Sequence, residues 1–513
     1  MNITIDSITY ELVRRGTEAH VVANNYKGEV TIPSHVSPDG VRNIPIVAIE
    51  DRAFYKCEEL TAVTLPEGLQ EIGDFSFAYC TSLTEIRILN SVCRLGYGAF
   101  AFCDNILHMD LPQEVPYIPR SFLFGCNHQL ELDIPHTVQW IGDMAFYKLD
   151  LDLKPTERVQ YMGNVLCDGR LLQAENGVLR IKEGTRYIAN RAFAYNETIT
   201  QVILPSSVVS IGEKAFAECK NLKSVQLAEG LEKIGVEAFA QCSALEKIYI
   251  PNSVKTIGAA AFTECTGLRE MVVGEQNKHY DSRCNCNGII QKKWNMLVAA
   301  CPSTVILDVL EIIGDKAFKG VYQSSELILP KSVKCIGNDA FGDNDSLQRV
   351  VIHDEIEVIG CFAFQGCGAL SEIELPKKYV EIGENAFMDT ACVENQSPGA
   401  AYVGNHLCKY IPYTEDGPEP DCVIPEGIEY IDLCAFYFIP SMRIFFPRSL
   451  KAVDIGAFIL DESDHELIAP EGMGDDYPVK NGCIQYQSDM NTKWWDRLNE
   501  GWDDKISTNN LTI

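Results

Sequence analysis

Hydrophobic residues recur along this chain with a period of 23 residues, and a phenylalanine that usually follows an alanine marks each repeat. A fixed period of roughly 20 to 30 residues is typical of stacked supersecondary units that bury their hydrophobic faces only against one another. We therefore predict a solenoid. The phenylalanines that keep the spacing are Phe54, Phe77 and Phe100, then Phe193, Phe216, Phe239 and Phe262, and then Phe318, Phe341, Phe364 and Phe387.

The segment AFAECKNLKSVQLAEGLEKIG, which begins at Ala215, shows the repeat in its clearest form. Leu222, Val225 and Leu227 stand in an L-x-x-V-x-L pattern, which predicts a short strand with one buried face. Gly235 marks a turn before the next Ala-Phe pair. Because 23 residues leave no room for both a strand and a long helix, we predict a mostly β coil in which short extended pieces are joined by turns.

The segments LPSSVVSIGEKAFAECKNLKSV and LPKSVKCIGNDAFGDNDSLQRV carry one shared pattern in one phase. This pattern resembles the BspA-type leucine-rich repeat, and the resemblance extends over about residues 45 to 460. It implies a mostly β, right-handed leucine-rich-repeat solenoid of ~23-residue units with β-hairpin interruptions. It also implies a protein that recognises other proteins, as in adhesion, without fixing a ligand.

Three longer gaps interrupt the repeat: 47 residues before Phe193, 56 before Phe318 and 49 before Phe436. Each gap contains a related phrase, so we predict enlarged repeats, near residues 147–192, 263–317 and 388–435, in which a hairpin replaces the ordinary turn. We expect one solenoid with an N-terminal β cap at 1–50, repeats at 51–460, and a C-terminal cap and acidic Trp-rich tail at 461–513. Trp495, Leu498 and Trp502 have helical spacing there, which fits either a cap or a partner-binding helix.

The chain is acidic, with 43 Lys and Arg against 72 Asp and Glu and a net charge of −29. Such a charge repels phosphate backbones and anionic lipid, so we expect no nucleic-acid partner. No stretch of 18 apolar residues predicts membrane insertion. The N-terminus lacks the basic start and apolar core of a signal peptide, which predicts a cytoplasmic protein. The alternative is a cell-surface or secreted protein, as in many similar proteins. We expect a monomer.

The 20 cysteines follow the repeat rather than a disulfide framework. Cys219, Cys242 and Cys265 lie in three consecutive repeats and cannot all form disulfides with one another. We therefore predict a column of reduced, buried thiols beside the phenylalanines. Cys284 and Cys286 form a lone C-x-C without the second pair that a zinc site needs, so we predict no metal. The eight cysteines that follow an Ala-Phe landmark are Cys57, Cys80, Cys103, Cys126, Cys219, Cys242, Cys265 and Cys367.

No catalytic or cofactor-binding motif occurs, so we predict a protein that is not an enzyme and holds no cofactor. The outward positions of the strands are polar in the early repeats and become apolar in one column later, which favours a protein-binding stripe with a charged border. The alternative is a carbohydrate-binding or enzymatic module built on the interrupted repeats around residues 147–175, 277–305 and 395–420. The predicted partner-binding residues are Ile203, Gln226, Tyr249, Val272, Ile328 and Val351, flanked by Lys247 and Arg349.

Overall fold

The computed structural model forms two compact units, Met1–Phe239 and Ala240–Ile513, which are treated separately below. The predicted C-terminal piece with Trp495, Leu498 and Trp502 lies outside the described residues, and the predicted domain boundaries stay predictions. The described residues are 2–126, 130, 132, 134–135, 137–138, 140–142, 144–146, 159–162, 164–170, 172–411, 421–436, 442–454, 456–458, 465–473, 477–480 and 483–484.

Parallel strands at the L-x-x-V-x-L positions form what we call the long-strand ladder. Inward residues such as Leu222, Val225 and Leu227 are buried, as the alternation predicts. In the first unit the strands are Gly28–Thr31 with Leu60–Thr64, Glu85–Arg87 with His108–Asp110, and Val178–Arg180 with Gln201–Ile203 and Ser224–Gln226. In the second unit they are Lys247–Ile250 with Glu270–Val273, Glu326–Ile328 with Arg349–Val351 and Glu372–Glu374, and Cys422–Val423 with Arg443–Phe445 and Glu466–Ile468.

A second set of parallel strands, mostly two residues long, directly precedes the repeated glycine in most coils, and we call it the short-strand ladder. In the first unit its members are Ile44–Ile49, Glu71–Ile72 and Arg94–Leu95, then Tyr117–Ile118 and Trp140–Ile141, then Tyr187–Ile188, Ser210–Ile211 and Lys233–Ile234. In the second unit they are Thr256–Ile257, then Ile312–Ile313, Cys335–Ile336, Val358–Ile359 and Glu381–Ile382, then Tyr430–Ile431 and Ala452–Val453.

Antiparallel strands begin four runs of the short-strand ladder, which confirms the predicted β-hairpin interruptions. The last strand of each antiparallel group pairs in parallel with the next short strand. The groups are Asn2–Ile5, Ile8–Val13 and Glu18–Val21; Gln160–Met162 and Val165–Asp168; Tyr280–Asp281, Gly288–Gln291 and Met296–Ala300; and Gly399–Val403 and His406–Ile411. His35–Val36 and the pair Val479–Lys480 and Cys483–Ile484 are also antiparallel. Helix in the described residues is limited to Ala391–Glu394 and the 3-10 turns Glu175–Gly177 and Arg283–Asn285.

The turns around the Ala-Phe pairs are joined by backbone hydrogen bonds from coil to coil, and we call this third set the turn ladder. Arg52 and Lys56, which flank Phe54, adopt positive φ angles of 58° and 59°. The N–H groups of Arg52, Phe54 and Lys56 donate to carbonyls of the next coil at 2.7–2.9 Å, while those between them donate three residues back along the chain. The left-handed conformation costs about 1–2 kcal/mol for each residue with a Cβ. The complete hydrogen bonding of the turn offsets this cost.

The core of each unit contains stacked phenylalanine rings. Ring centroids lie 5.1 Å apart between Phe77 and Phe100 and between Phe318 and Phe341, with nearly parallel planes. Several of the cysteines that follow a ring also donate their thiol to the phenylalanine carbonyl of the preceding coil, as Cys103 does to Phe77 at 3.1 Å. An amide can take the same place. Asn344 donates to the Phe318 carbonyl at 3.1 Å.

The repeated glycine permits the close approach of neighbouring coils. A Cβ on Gly96 would lie 2.2 Å from the carbonyl carbon of Gly73, and a Cβ on Gly360 would lie 2.6 Å from the backbone nitrogen of Asn338. Both distances are impossible for a real Cβ atom. The glycine is therefore needed because the backbones touch.

Candidate interaction surface

The predicted column occupies outward positions of the long-strand ladder, where the structure resolves it into three pairs. In the first unit, Ile203 lies beside Gln226. In the second unit, Tyr249 lies beside Val272 and Ile328 lies beside Val351. The strand Glu326–Ile328 begins a separate three-stranded sheet, so hydrogen-bonded strands do not carry the column continuously from Val272 to Ile328.

The apolar side chains of this column differ in exposure. Tyr249 is 47% exposed and Ile328 is 63% exposed, whereas Val272 and Val351 are half-buried. The exposed tyrosine and its half-buried valine neighbour form an apolar surface in the second unit. We call Tyr249 and Val272 the Tyr249 patch.

The charged border behaves differently at its two predicted positions. Lys247 lies in register with Glu270 and is exposed beside the Tyr249 patch. Arg349 is already engaged, because its guanidinium contacts the carboxylates of Glu326 and Glu374 and lies 3.5 Å from Glu372. Arg349 is therefore the centre of a cross-strand ion cluster within the sheet.

A further apolar column lies near the end of the second unit. Val423, Phe445 and Ile468 are neighbours on adjacent parallel strands, and Val423 is 66% exposed. Arg443 at its edge donates to Asp421 at 2.8 Å. The outward-position rule that selected Tyr249 also selects these residues. Val423 and Phe445 are 22 residues apart, one fewer than in the regular repeat.

The early coils of the first unit carry a concavity of about 980 Å³, lined by residues that include His108 on a strand and Asn90 in a turn. Arg87 and Asp110 line it as a loose ion pair, with 3.8 Å between the guanidinium Nε and the carboxylate. Its polar border agrees with the polar outward pairs that the sequence predicts there.

A histidine and a half-buried thiol of the strand His406–Ile411 meet a carboxylate of the next coil. His406 Nδ1 lies 2.7 Å from Asp432, and the Cys408 thiol donates to the other oxygen of Asp432 at 3.3 Å. Burial, followed by the charge of Asp432, raises the pKa of Cys408 well above its ordinary value. A thiol held protonated is a poor nucleophile, so the group has the character of a buried polar network.

The antiparallel group Tyr280–Asp281, Gly288–Gln291 and Met296–Ala300 contains the C-x-C of the sequence. Cys284 is exposed and Cys286 is buried, and Cys286 donates to the Gly288 carbonyl at 3.6 Å. In the described part of the chain, no group of three or more His, Cys, Asp or Glu side chains is placed to hold a metal ion. Within the same part, no helix is long and apolar enough to cross a membrane.

A family model of the BspA type leucine-rich repeat region matches this chain in six copies, over residues 47–159, 181–293 and 298–402. These matches cover more than half of the chain and follow the phase of the Ala-Phe repeat. No curated protein sequence matches it.

Solved structures of bacterial repeat proteins resemble the chain more loosely. A leucine rich cell surface protein from Faecalibacterium prausnitzii is 22% identical over 96% of this chain and 99% of its own, with a TM-score of 0.32. A leucine-rich repeat protein from Eubacterium ventriosum is 18% identical over 60% of this chain and 87% of its own, with a TM-score of 0.38. The pneumococcal vaccine antigen PcpA is 18% identical over 95% and 91%, with a TM-score of 0.34.

Proposed function

Because this chain belongs to the BspA-type leucine-rich repeat family, we propose that it is a non-catalytic interaction protein that binds another protein on the outward face of its long-strand ladder. The observation that carries the proposal is the Tyr249 patch. It places an exposed tyrosine and a valine side by side, with Lys247 and Glu270 at the border. An apolar centre with a charged rim is the usual anatomy of a protein interface.

Tyr249 is the proposed anchor. Tyrosine contributes a large contact area at a small cost in side-chain entropy, and it is enriched among residues that dominate binding energies. Val272 extends the apolar area, and Ile328 and Val351 are further proposed positions in the same unit. Ile203 and Gln226 are the proposed positions in the first unit. The net charge of −29 favours a partner with a basic surface.

The test uses the full chain as bait and the double variant Tyr249→Ser and Val272→Ser as its comparison. A partner recovered from a lysate by the wild-type chain is identified, purified and titrated against both proteins. We expect the double variant to weaken binding by more than ~1 kcal/mol, about fivefold in Kd. Both side chains point away from the core, so circular dichroism and the unfolding midpoint should stay unchanged.

The matched control is the double variant Val423→Ser and Phe445→Ser, which removes a comparable apolar pair from another sheet of the same unit. Competing sugars in a parallel arm address the carbohydrate-binding alternative. Equal binding by the wild-type chain and the Tyr249 patch variant would contradict a binding site on this face. Loss of binding only with sugars, or only after changes within residues 277–305 or 395–411, would favour the module built on the interrupted repeats.

A further inference from the structure

The second interruption of the repeat, near residues 263–317, separates two coils that strand pairing does not join. In the described part of the chain, the strands of the coil of Phe262 are the last of their sheets, and the strands of the coil of Phe318 belong to other sheets. The turn ladder continues across the interruption, because the Glu264 N–H donates to the Lys319 carbonyl. We call this contact between the two coils the junction.

The backbone hydrogen bond at the junction is long for this ladder. The Glu264 nitrogen lies 3.3 Å from the Lys319 carbonyl oxygen. The same bond measures 2.9 Å at Gln241, 2.9 Å at Gly320 and 2.8 Å at Asp343, which also stand two positions after a landmark phenylalanine. A bond from N–H to a carbonyl is most often about 2.9–3.0 Å long, and the bond at the junction exceeds this length. The backbone therefore holds the junction less firmly than it holds the neighbouring coils.

Three carboxylates lie around one ammonium group at the junction. Lys319 Nζ is 2.6 Å from the Asp339 carboxylate and 3.0 Å from the Asp343 carboxylate, and all three residues belong to coils after the interruption. Glu264 reaches the group from the coil before it. A Cβ on Gly320 would lie 3.0 Å from the Glu264 Cγ, so the glycine leaves room for this side chain. Lys319 attracts the carboxylate of Glu264, and Asp343 repels it.

Other polar groups face the same carboxylates. The Gln241 amide donates to Oε2 of Glu264 at 3.0 Å. Lys316 and Asp315 face Asp339, whose Oδ1 atom is buried without a hydrogen-bond partner among the described residues. The carboxylates at the junction therefore outnumber its lysines, and the junction carries excess negative charge when all of these groups are ionised.

The carboxyl groups of the junction take up protons more readily than ordinary carboxyl groups. Burial raises the pKa of Glu264 above its ordinary value, although Lys319 opposes this shift, and burial also raises the pKa of Asp339. For Lys319, burial lowers the pKa, but hydrogen bonds to Asp339 and Asp343 outweigh it and raise the pKa, so the ammonium stays charged. A carboxyl group with a raised pKa contributes stability that is complete below its ordinary pKa and is lost as the pH rises through the raised value.

We propose that the junction is a pH-sensitive switch, in which protonation of Glu264 tightens the contact between the two coils and ionisation of Glu264 loosens it. An ionised Glu264 faces Asp339 and Asp343, and the three charges share Lys319. Because a carboxylate is better solvated in water than in this partly buried place, ionisation favours an open junction. In the described part of the chain, no strand pairing between the two coils opposes the opening.

Hydrogen exchange of the full chain at pH 7 and pH 4, corrected for the intrinsic exchange rates, tests the switch. We expect the turns that contain Glu264 and Lys319 to be better protected at pH 4 than at pH 7. Glu264→Gln should raise their protection at pH 7 by about three- to tenfold, because its neutral amide cannot ionise and one unit of pKa difference corresponds to a factor of about ten. The gain should vanish at pH 4, where the wild-type carboxyl is protonated as well.

Lys319→Met should act in the opposite direction, since it leaves the carboxylates of the junction without the cation that they share. The protection of the same turns should fall at pH 7 and recover at pH 4. Recovery at pH 4 distinguishes a loss of charge balance from a loss of packing.

Glu218→Gln is the matched control. Glu218 holds the same position of the coil, two residues after Phe216, and its carboxylate lies 3.8 Å from the Lys220 Nζ. This variant should leave the exchange of the junction unchanged at both pH values. The proposal is wrong if wild-type protection does not rise at pH 4, or if Glu264→Gln fails to gain protection at pH 7 or keeps its gain at pH 4.

Discussion

At the residue scale, a single side-chain oxygen links each coil to the next at the start of the turn ladder. Asp51 accepts the N–H of Asp74 at 2.7 Å, Asn190 accepts that of Glu213 at 2.9 Å, and Asp315 accepts that of Asn338 at 2.7 Å. Aspartate and asparagine offer the same acceptor atom in this position. They differ in charge, and that difference matters where the coil buries the group.

The substitution Asp315→Asn should stabilise the protein at neutral pH. Burial raises the pKa of Asp315 to about 6, so the folded protein disfavours the charged carboxylate. Below the ordinary pKa of aspartic acid the Asp315 carboxyl is protonated, and the folded state keeps its full stability. This stability is lost as the pH rises through about 6, because the buried carboxyl must then ionise. We expect a gain of about 1–3 kcal/mol in unfolding free energy at pH 7, from the pKa difference at 1.36 kcal/mol per unit. Denaturant unfolding at pH 7 and pH 4 measures it, and the gain should vanish at pH 4.

Asp51→Asn is the control for this prediction. Asp51 makes the same hydrogen bond from an exposed position. Its substitution should change stability by less than about 0.5 kcal/mol, as for most surface sites. A gain at Asp315 that persists at pH 4 would show that charge is not the cause.

At the scale of the element, the sequence predicts the strands much better than the turns between them. Leu222, Val225 and Leu227 alternate as a half-buried strand must, so periodicity alone locates the long-strand ladder. The turn ladder requires positive φ at residues such as Lys214 and Glu218. These residue types do not favour that conformation. Hydrogen bonds between coils impose it, and a single sequence window contains no signal of them.

The sequence likewise predicts part of the interaction surface, namely which residues of a strand face outward, but not the contacts that these residues make. Outward positions follow from the period of two, so Tyr249 and Ile328 are exposed as expected. The engagement of Arg349 depends on which residues oppose it on both neighbouring strands.

The phenylalanine stack makes the stability of one coil depend on its neighbours. Phe341 is fully buried, with ring centroids 5.1 Å from Phe318 and 5.5 Å from Phe364. We expect Phe341→Ala to cost about 3–5 kcal/mol, as for other buried aromatic truncations. Hydrogen exchange should show lost protection in the coils of Phe318 and Phe364 as well.

Tyr195→Ala is the comparison for the stack, because Tyr195 lies two residues after Phe193 in its own turn and is 67% exposed. It should leave the unfolding midpoint nearly unchanged. A loss of protection confined to the coil of Phe341 would show that the rings fill space without coupling the coils.

At the scale of the whole molecule, the thiols connect the repeat to the redox environment in which the protein is stable. All eight cysteines of the predicted column are buried, and none of the eight is in a disulfide. Several of them, such as Cys80, Cys103 and Cys367, donate to the backbone carbonyl of the preceding coil. Oxidation of such a thiol would remove a donor from a buried carbonyl. We therefore expect the column to be more stable under reducing than under oxidising conditions.

Thiol titration of the intact protein tests this arrangement. Cys93 and Cys284 are exposed and should react first in the native state. Burial raises the pKa of Cys219 and of Cys265 to about 12, and because only the thiolate attacks, these groups should stay unreactive until the protein unfolds. Unfolding in denaturant without reductant should release close to 20 reactive thiols. A large deficit would mean that disulfides form in the native chain, and the thiol column would then have to rearrange to accommodate them.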